Sequence, residues 1–108
     1  MRTSEYTASE IAAYVVKFAF DETEPATNLA LQKLLYFFQY ASLVVLNKPL
    51  NSTIQFEAWN HGPVVREVYS NYRINGPCLL FPDNSIDNAY NEMKDHFRAI
   101  NKYVMGLK

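Results

Sequence analysis

The stretch "NLALQKLLYFFQYASLVVLN", residues 28–47, contains the longest apolar run in the sequence. Thr27 before it can cap a helix, and Asn47 with Pro49 predicts where that helix ends. Apolar residues at helical spacing form one face: Leu31, Leu34, Leu35, Phe38 and Ala41. Further apolar residues lie around the rest of the cylinder: Leu29, Phe37, Leu43, Val44 and Val45. A helix that is apolar on most sides is expected at the centre of a domain.

The polar side chains in this helix are few and regularly placed. The apolar run is interrupted by Gln32, Lys33, Gln39 and Ser42, which favours a buried helix over a membrane span. Gln32, Tyr36 and Gln39 follow one another at spacings of four and three, so they share one stripe. This stripe is either the solvated edge of a central helix or a surface that recognises a partner.

A helix is also predicted on the N-terminal side. Thr7 and Glu10 have the spacing of a capping box, ahead of an apolar face made by Ile11, Val15 and Phe18. The helix is expected from about Ala8 to Phe20. The acidic stretch "DETEP", residues 21–25, then forms a connection, which is either a solvated loop or a contact for a basic partner.

The C-terminal part has the most regular amphipathic pattern in the chain. Ser85 can cap a last helix, and Gly106 is expected to end it. Its apolar residues recur at alternating steps of four and three: Ile86, Tyr90, Met93, Phe97, Ile100 and Val104. Residues 77–84, "PCLLFPDN", are predicted to be a loop whose apolar side chains fold back onto the core.

The segment "IQFEAWNHGPVV", residues 54–65, alternates apolar and other residues up to Trp59, which predicts a short extended segment. Gly62 permits a sharp turn, and Pro63 suits the first turn of a third helix that ends at Asn75 and Gly76. The inward positions of that helix are Val65, Val68, Tyr69 and Tyr72. His61 would then lie beside a helix N-terminus, either as part of the turn or as a contact for a carboxylate or peptide carbonyl.

Together these elements predict a mainly α fold, a compact bundle of about four helices with a short extended or β segment around residues 54–59. The length of 108 residues fits a single domain. The net charge of −1 and the absence of a Lys/Arg run argue against nucleic acid as a partner. Cys78 is the only cysteine, which excludes an internal disulfide and favours a cytoplasmic location. The N-terminal "MRTSEYTASE" lacks the apolar run of a signal peptide.

The residues that could support catalysis are sparse. His61 and His96 have no partner at the spacing of helical metal ligands, so neither a metal site nor another cofactor is expected. A nucleophilic pair of Cys78 and His61 is conceivable, but a small apolar Cys78 and a turn residue His61 are the more common case. We therefore expect a protein that is not an enzyme.

Three ordered blocks resemble the Panacea domain, the SocA-like antitoxin family, whose members are also described as phage-associated proteins. The blocks are "SEIAAYVVKFA", "TNLALQKLLYFFQYASLVVLNKPL" and "FEAWNHGPVVREVYSNYRINGP", which together cover about residues 9–77. Family members commonly continue into a segment with a Thr-His step and a Pro-Trp pair, whereas this chain ends at "VMGLK". The resemblance thus implies one Panacea-like domain, either a short member or one without the family's C-terminal segment.

The resemblance implies an antitoxin that neutralises a cognate protein toxin by direct binding, with alarmone-synthetase-like enzymes among the toxins of the family. The alternative within the resemblance is an adaptor that delivers the toxin to a ClpXP-type protease. An alternative of another class is a DNA-binding autoregulator of its operon, which the missing basic patch disfavours. Tyr, Trp and Arg are the side chains that dominate protein interfaces. On that basis the expected toxin-binding surface comprises Gln32, Tyr36, Gln39, Trp59, His61, Arg66 and Tyr69.

Overall fold

The computed structural model describes residues 5–83 and 87–106, and this part of the chain is mainly helical. The helices are α1 (Ala8–Glu22), α2 (Asn28–Leu46), α3 (Arg66–Tyr72), α4 (Asp87–His96) and α5 (Arg98–Gly106). The strands are β1 (Glu57–Trp59) and β2 (Gly62–Val64), and a 3₁₀ turn, Arg73–Asn75, follows α3. The predicted mainly α fold with a short β segment is confirmed. Ser85 and Ile86, predicted to begin the last helix, lie outside the described residues.

Helix α1 begins where the sequence predicted. The Glu10 N–H donates to Thr7 Oγ1 at 3.1 Å and the Thr7 N–H donates to Glu10 Oε1 at 2.8 Å, so the capping box is formed. The helix continues two residues beyond Phe20, which makes the predicted boundary wrong. Ion pairs support this last turn, since Lys17 lies 3.1 Å from Asp21 and Lys94 of α4 reaches the next residue, Glu22.

Helix α2 is capped by Thr27, whose Oγ1 accepts the Ala30 N–H, and it ends at the left-handed residue Asn47. Its predicted core face is confirmed by the burial of Leu31, Leu35, Phe38 and Ala41, with Leu34 packed against the core. The prediction that α2 is covered on most sides is wrong, because α1, α3, α5 and β2 contact it and leave much of the opposite side exposed. Helix α1 is the more enclosed of the two, with Phe20 as its one strongly exposed apolar side chain in the described chain.

By length and composition α2 could also cross a membrane. One side of the helix nevertheless lies in the protein core, and three of its polar side chains, Asn28, Gln32 and Ser42, are buried there. All three make hydrogen bonds inside the protein. This pattern is that of a helix packed on one side within a globular fold.

The core is built around Tyr14 of α1. Its ring lies 5.0 Å from Tyr90 and 5.4 Å from Phe97 (centroid distances), and it also contacts Phe18 and Phe38. Burial raises the pKa of the Tyr14 hydroxyl, which accepts a hydrogen bond from the Asn101 side chain. Burial also raises the pKa of Tyr90, to about 12. The core is therefore rich in aromatic rings.

The predicted apolar face of the last helix is confirmed for all its described members: Tyr90, Met93, Phe97, Ile100 and Val104 are buried. The predicted single helix is divided at Phe97 into α4 and α5, so the described chain has five helices instead of about four. The Asn101 side-chain amide reaches the Lys94 carbonyl at 3.5 Å across this break. Within the described residues 77–83 of the preceding loop, Leu80 is buried in the core and its N–H donates to the Ala26 carbonyl, while Leu79 and Phe81 are exposed.

Strands β1 and β2 form an antiparallel hairpin in which Trp59 is opposite Gly62 and Ala58 is opposite Pro63. The sequence predicted the first strand but placed Pro63 at the start of a helix, which is wrong, since α3 begins at Arg66. Pro63 is compatible with β2 because of its position in the hairpin. It comes directly after Gly62, which pairs with Trp59 on the two sides of the two-residue turn. Its nitrogen points away from β1, where no donor is required.

Candidate protein-binding surface

Four side chains from the hairpin and α3 form a connected group, which we call the hairpin cluster: Glu57, Trp59, Arg66 and Tyr69. The Glu57 carboxylate accepts from Arg66 Nε at 2.8 Å and from Arg66 Nη2 at 2.9 Å, a bidentate pair. Trp59 Nε1 donates to the same carboxylate at 3.1 Å. The Trp59 ring packs edge-on against the Tyr69 ring, with 4.9 Å between the ring centroids. The Arg66 guanidinium lies 6.0 Å from the centroid of the Trp59 ring. The cluster is thus partly ordered by its own contacts.

Hydrogen bonds to Glu57 hold the pKa of its carboxyl well below the ordinary value of 4.5, at about 2. The largest cause is the hydrogen bond from Arg66, followed by the one from Trp59. Both stabilise the charged form of the carboxylate. The cluster therefore keeps its ion pair at every pH that a cell experiences.

Two buried amides of α2 fix the position of α3. The Val65 N–H at the start of α3 donates to Gln32 Oε1 at 3.0 Å, and Gln32 Nε2 donates to Asn28 Oδ1 at 3.0 Å. The Asn28 amide in turn donates to the Tyr69 carbonyl at 3.0 Å. Since an unmade hydrogen bond at a buried amide is costly, these contacts hold the helix that carries Arg66 and Tyr69 against α2.

The structure divides the surface residues that the sequence predicted. Gln32 is 1% exposed, so it cannot belong to a binding surface, and it is not a solvated edge either. Gln39 is half-buried, and its Oε1 accepts the Leu50 N–H at 2.9 Å, which fixes the loop after α2. Tyr36 is exposed and packs edge-on against Phe56, which lies just before β1. The predicted stripe therefore consists of two glutamines, Gln32 and Gln39, whose side chains hydrogen-bond to the backbone of other segments, and one exposed tyrosine, Tyr36.

The remaining predicted residues lie on the hairpin and α3. Trp59 and Arg66 are exposed, and Tyr69 is half-buried beneath the tryptophan. His61 is exposed in the two-residue turn of the hairpin and does not lie at a helix N-terminus, because Gly62 to Val64 form a strand. Sequence reasoning missed Glu57, although Glu57 and Trp59 are two residues apart and so project from the same face of β1.

A second surface was not recognised from the sequence. The outer face of α2 consists of six exposed apolar side chains together with Lys33: Leu29, Tyr36, Phe37, Tyr40, Leu43 and Val44. The apolar spread of this helix indicated burial, but sequence composition does not tell which sides other elements of the chain cover. The alternating spacing of four and three along Leu29, Lys33, Tyr36, Tyr40 and Leu43 was the signal that could have identified the face.

Groups with nucleophilic or metal-binding chemistry are dispersed. Cys78 is exposed, and the prediction that His61 is a turn residue is confirmed. Residues 5–83 and 87–106 contain no hydrogen bond between Cys78 and His61. Within the same ranges no three His, Cys, Asp or Glu side chains come together as a metal site. The arrangements that stand out are the hairpin cluster and the outer face of α2, and both suit contact with another macromolecule.

Comparison with known proteins places these features in a family. Antitoxin SocA of Caulobacter vibrioides (strain NA1000 / CB15N) is 51% identical over 56 residues, which cover 52% of this chain. The match spans 29% of that relative's own length. No solved structure matches the chain. The model of the family described as "Antitoxin SocA-like, Panacea domain" matches residues 31–104, which include most of α2, the hairpin cluster, α4 and most of α5. This protein therefore belongs to the SocA-like, Panacea-domain antitoxin family.

Proposed function

We propose that this protein neutralises a cognate toxin by binding it directly, and that the hairpin cluster is the centre of the contact. Family membership supports a toxin as the partner. The observation that carries the choice of surface is the ordered grouping of exposed Trp59 and Arg66 on Tyr69. Under this proposal residues 1–108 act as one Panacea-like domain in the cytoplasm, without a catalytic step or a cofactor.

The chemistry of the cluster suits an interface. Trp, Tyr and Arg are enriched among the residues that contribute most to binding energy. Their geometry is set before binding, because Glu57 orients both the indole and the guanidinium, and preorganisation lowers the entropic cost of association. Two guanidinium donors of Arg66 serve Glu57 in the described chain, so others are available for a carbonyl or carboxylate of the toxin.

Growth rescue tests the proposal. The protein would be co-expressed with the product of the neighbouring gene, and the wild type is expected to restore growth. Trp59→Ala and Arg66→Ala should each lose rescue, and binding of the purified pair should weaken by about tenfold or more, as for interface hot spots. Ile74→Ala is the control, since Ile74 is 94% exposed on the turn after α3, outside the cluster.

The outcomes separate the parts of the proposal. Failure of the wild type to rescue growth would refute antitoxin activity towards that product. Rescue by both cluster variants at wild-type affinity would move the contact elsewhere, provided that circular dichroism shows them folded.

A half-life measurement distinguishes occlusion from delivery to a protease. Direct neutralisation predicts that the half-life of the toxin in cells is the same with the antitoxin as without it. If the antitoxin shortens toxin half-life in cells that contain ClpXP and not in cells that lack it, the adaptor alternative replaces direct occlusion. A salt-sensitive mobility shift with the operon's own promoter would similarly favour the autoregulator alternative.

A further inference from the structure

The outer face of α2 is a large apolar surface that the described chain leaves in solvent. Its six apolar side chains are between 42% and 51% exposed. They follow one another along the helix from Leu29 to Val44 and thus form one continuous strip. Lys33 is the single charged residue on this strip, and it makes no ion pair within residues 5–83 and 87–106. Exposed apolar patches of several hundred Å² are often sites of contact with a partner.

The spacing of the strip indicates that its partner is another helix. Leu29, Lys33, Tyr36, Tyr40 and Leu43 are separated by steps of four, three, four and three residues. This is the repeat by which two helices pack at a shallow angle along their whole length. Helix α2 has 19 residues, so it offers about 28 Å of contact line.

The area is sufficient for a second copy of the same surface. With about 200 Å² for an exposed aromatic side chain and somewhat less for Leu or Val, the strip exposes roughly 500 Å². Two such strips together bury roughly 1,000 Å², which is near the lower limit for a specific interface between proteins. The size therefore fits a weak, concentration-dependent dimer.

We propose that two copies of this protein associate through α2, with the two helices antiparallel about a two-fold axis near Tyr36 and Phe37. In this register Leu29 is opposite Val44 of the second copy, and Lys33 is opposite Tyr40. The ammonium group can then lie over the tyrosine ring, a favourable cation–π contact. A parallel pair would instead bring the two Lys33 side chains together and align the two helix dipoles unfavourably.

The charge pattern disfavours a lipid surface as the occupant. Helices that lie on membranes carry several Lys or Arg residues beside their apolar face. The outer face of α2 has only Lys33, and the segment before the helix is acidic at Asp21, Glu22 and Glu24. The dimer does not depend on the proposed contact with a toxin, because it uses a different surface.

Sedimentation equilibrium over a dilution series tests the dimer, and opposite charges at Tyr40 test its register. Wild type should shift from dimer to monomer on dilution. Tyr40→Lys should weaken the dimer at least about tenfold, because it faces Lys33 of the second copy, whereas Tyr40→Glu should weaken it much less. Ile74→Lys should leave it unchanged. A wild type that is monomeric throughout, or a Tyr40→Lys variant that dimerises normally, would overturn the proposal.

Cysteine cross-linking tests the antiparallel arrangement without depending on a charged variant that could fail to fold. In a Cys78→Ser background, Phe37→Cys lies near the two-fold axis and should form a covalent dimer on oxidation. Leu29→Cys alone should not, since the two copies of residue 29 are about 22 Å apart along the axis, but it should cross-link with Val44→Cys. Cross-linking of Leu29→Cys to itself would refute the antiparallel register. Flotation of the wild type with anionic vesicles in place of dimerisation would refute the choice of partner.

Discussion

Glu57 shows how one accessible carboxylate organises its neighbours. It accepts two hydrogen bonds from Arg66 and one from the indole of Trp59. The bidentate geometry fixes the plane of the guanidinium, and the hydrogen bond from the indole fixes the orientation of the Trp59 ring. The residue most important for the shape of the cluster is thus one that contacts each of the other polar members.

The charge state of Glu57 gives a test of this arrangement. Its folded pKa of about 2 lies below the ordinary 4.5, so the ion pair stabilises the fold fully above pH 4.5. This contribution is lost as the pH falls from 4.5 towards 2. Carboxyl NMR titration should find a midpoint near 2 in the wild type and a rise of about one unit or more in Arg66→Gln. Arg98→Gln, which alters a pair with Asp95, should leave the Glu57 midpoint unchanged. An unchanged midpoint in Arg66→Gln would show that Arg66 is not the main cause.

Residue identity alone predicts correctly that some of the candidate surface residues are exposed, and it fails for others. Trp59 and Arg66 have side chains that are typical of interfaces, and both are exposed. Gln32 shares a stripe with Tyr36 in the sequence, but in the structure its side-chain oxygen accepts the Val65 N–H inside the protein. That bond joins residues 33 positions apart, and no local pattern encodes it. The ion pair of Glu57 with Arg66 is likewise not encoded by a local pattern, since Arg66 approaches Glu57 only after β2 turns back along β1.

At the scale of elements, the hairpin depends on one backbone conformation. Gly62 has φ = 120°, a backbone conformation that residues other than glycine rarely adopt. It closes the turn that returns the chain from Trp59 towards α3. The sequence correctly indicated a sharp turn at Gly62 but took the following Pro63 as a helix start, since proline fits both a first helical turn and an edge strand.

Alanine substitutions at two glycines, Gly62 and Gly106, distinguish the cost of backbone strain from that of a steric clash. A Cβ added at Gly62 or at Gly106 would meet no atom within 4 Å, so neither substitution causes a collision. Gly62→Ala should lower the free energy of unfolding by about 1–3 kcal/mol through the forced backbone conformation. Gly106→Ala in α5 should be neutral or stabilising by up to about 1 kcal/mol. Urea unfolding of both variants measures the difference, and equal stabilities would show that the turn tolerates another conformation.

The helices illustrate what periodicity can and cannot predict. The capping box of α1 and the buried face of α4 and α5 follow from local spacing, and both are present in the structure. The break at Phe97 was not predicted, because the apolar repeat continues through it unchanged. The exposed side of α2 was not predicted either. The sequence shows that a residue is apolar, but it does not show whether the side chain faces the core of its own chain or a partner.

At the scale of the whole molecule, burial is distributed unevenly. Side chains with no exposure are concentrated in α1 and on one side of α2, whereas β1 has none that is buried. The two strands form a sheet of three residues each, and an isolated hairpin of that size is at best marginally stable in water. The hairpin cluster therefore lies on the part of the described fold that has the least stability of its own. The Gln32 amide joins this part to the core.

Native-state hydrogen exchange should resolve this gradient residue by residue. Amides from Ile11 to Ala19 and from Leu31 to Ala41 are expected to exchange only through global unfolding, and amides from Glu57 to Trp59 through a local opening of lower free energy. The Val65 N–H is the informative exception, because its acceptor is the buried Gln32 Oε1 and it should exchange much more slowly than the strand amides. Gln32→Leu should remove that protection while leaving the α1 amides the slowest. If β1 exchanged as slowly as α2 in the wild type, the hairpin would belong to the cooperative core. The cluster would then be held by the whole fold, and the hydrogen bond between Val65 and Gln32 would not be what positions it.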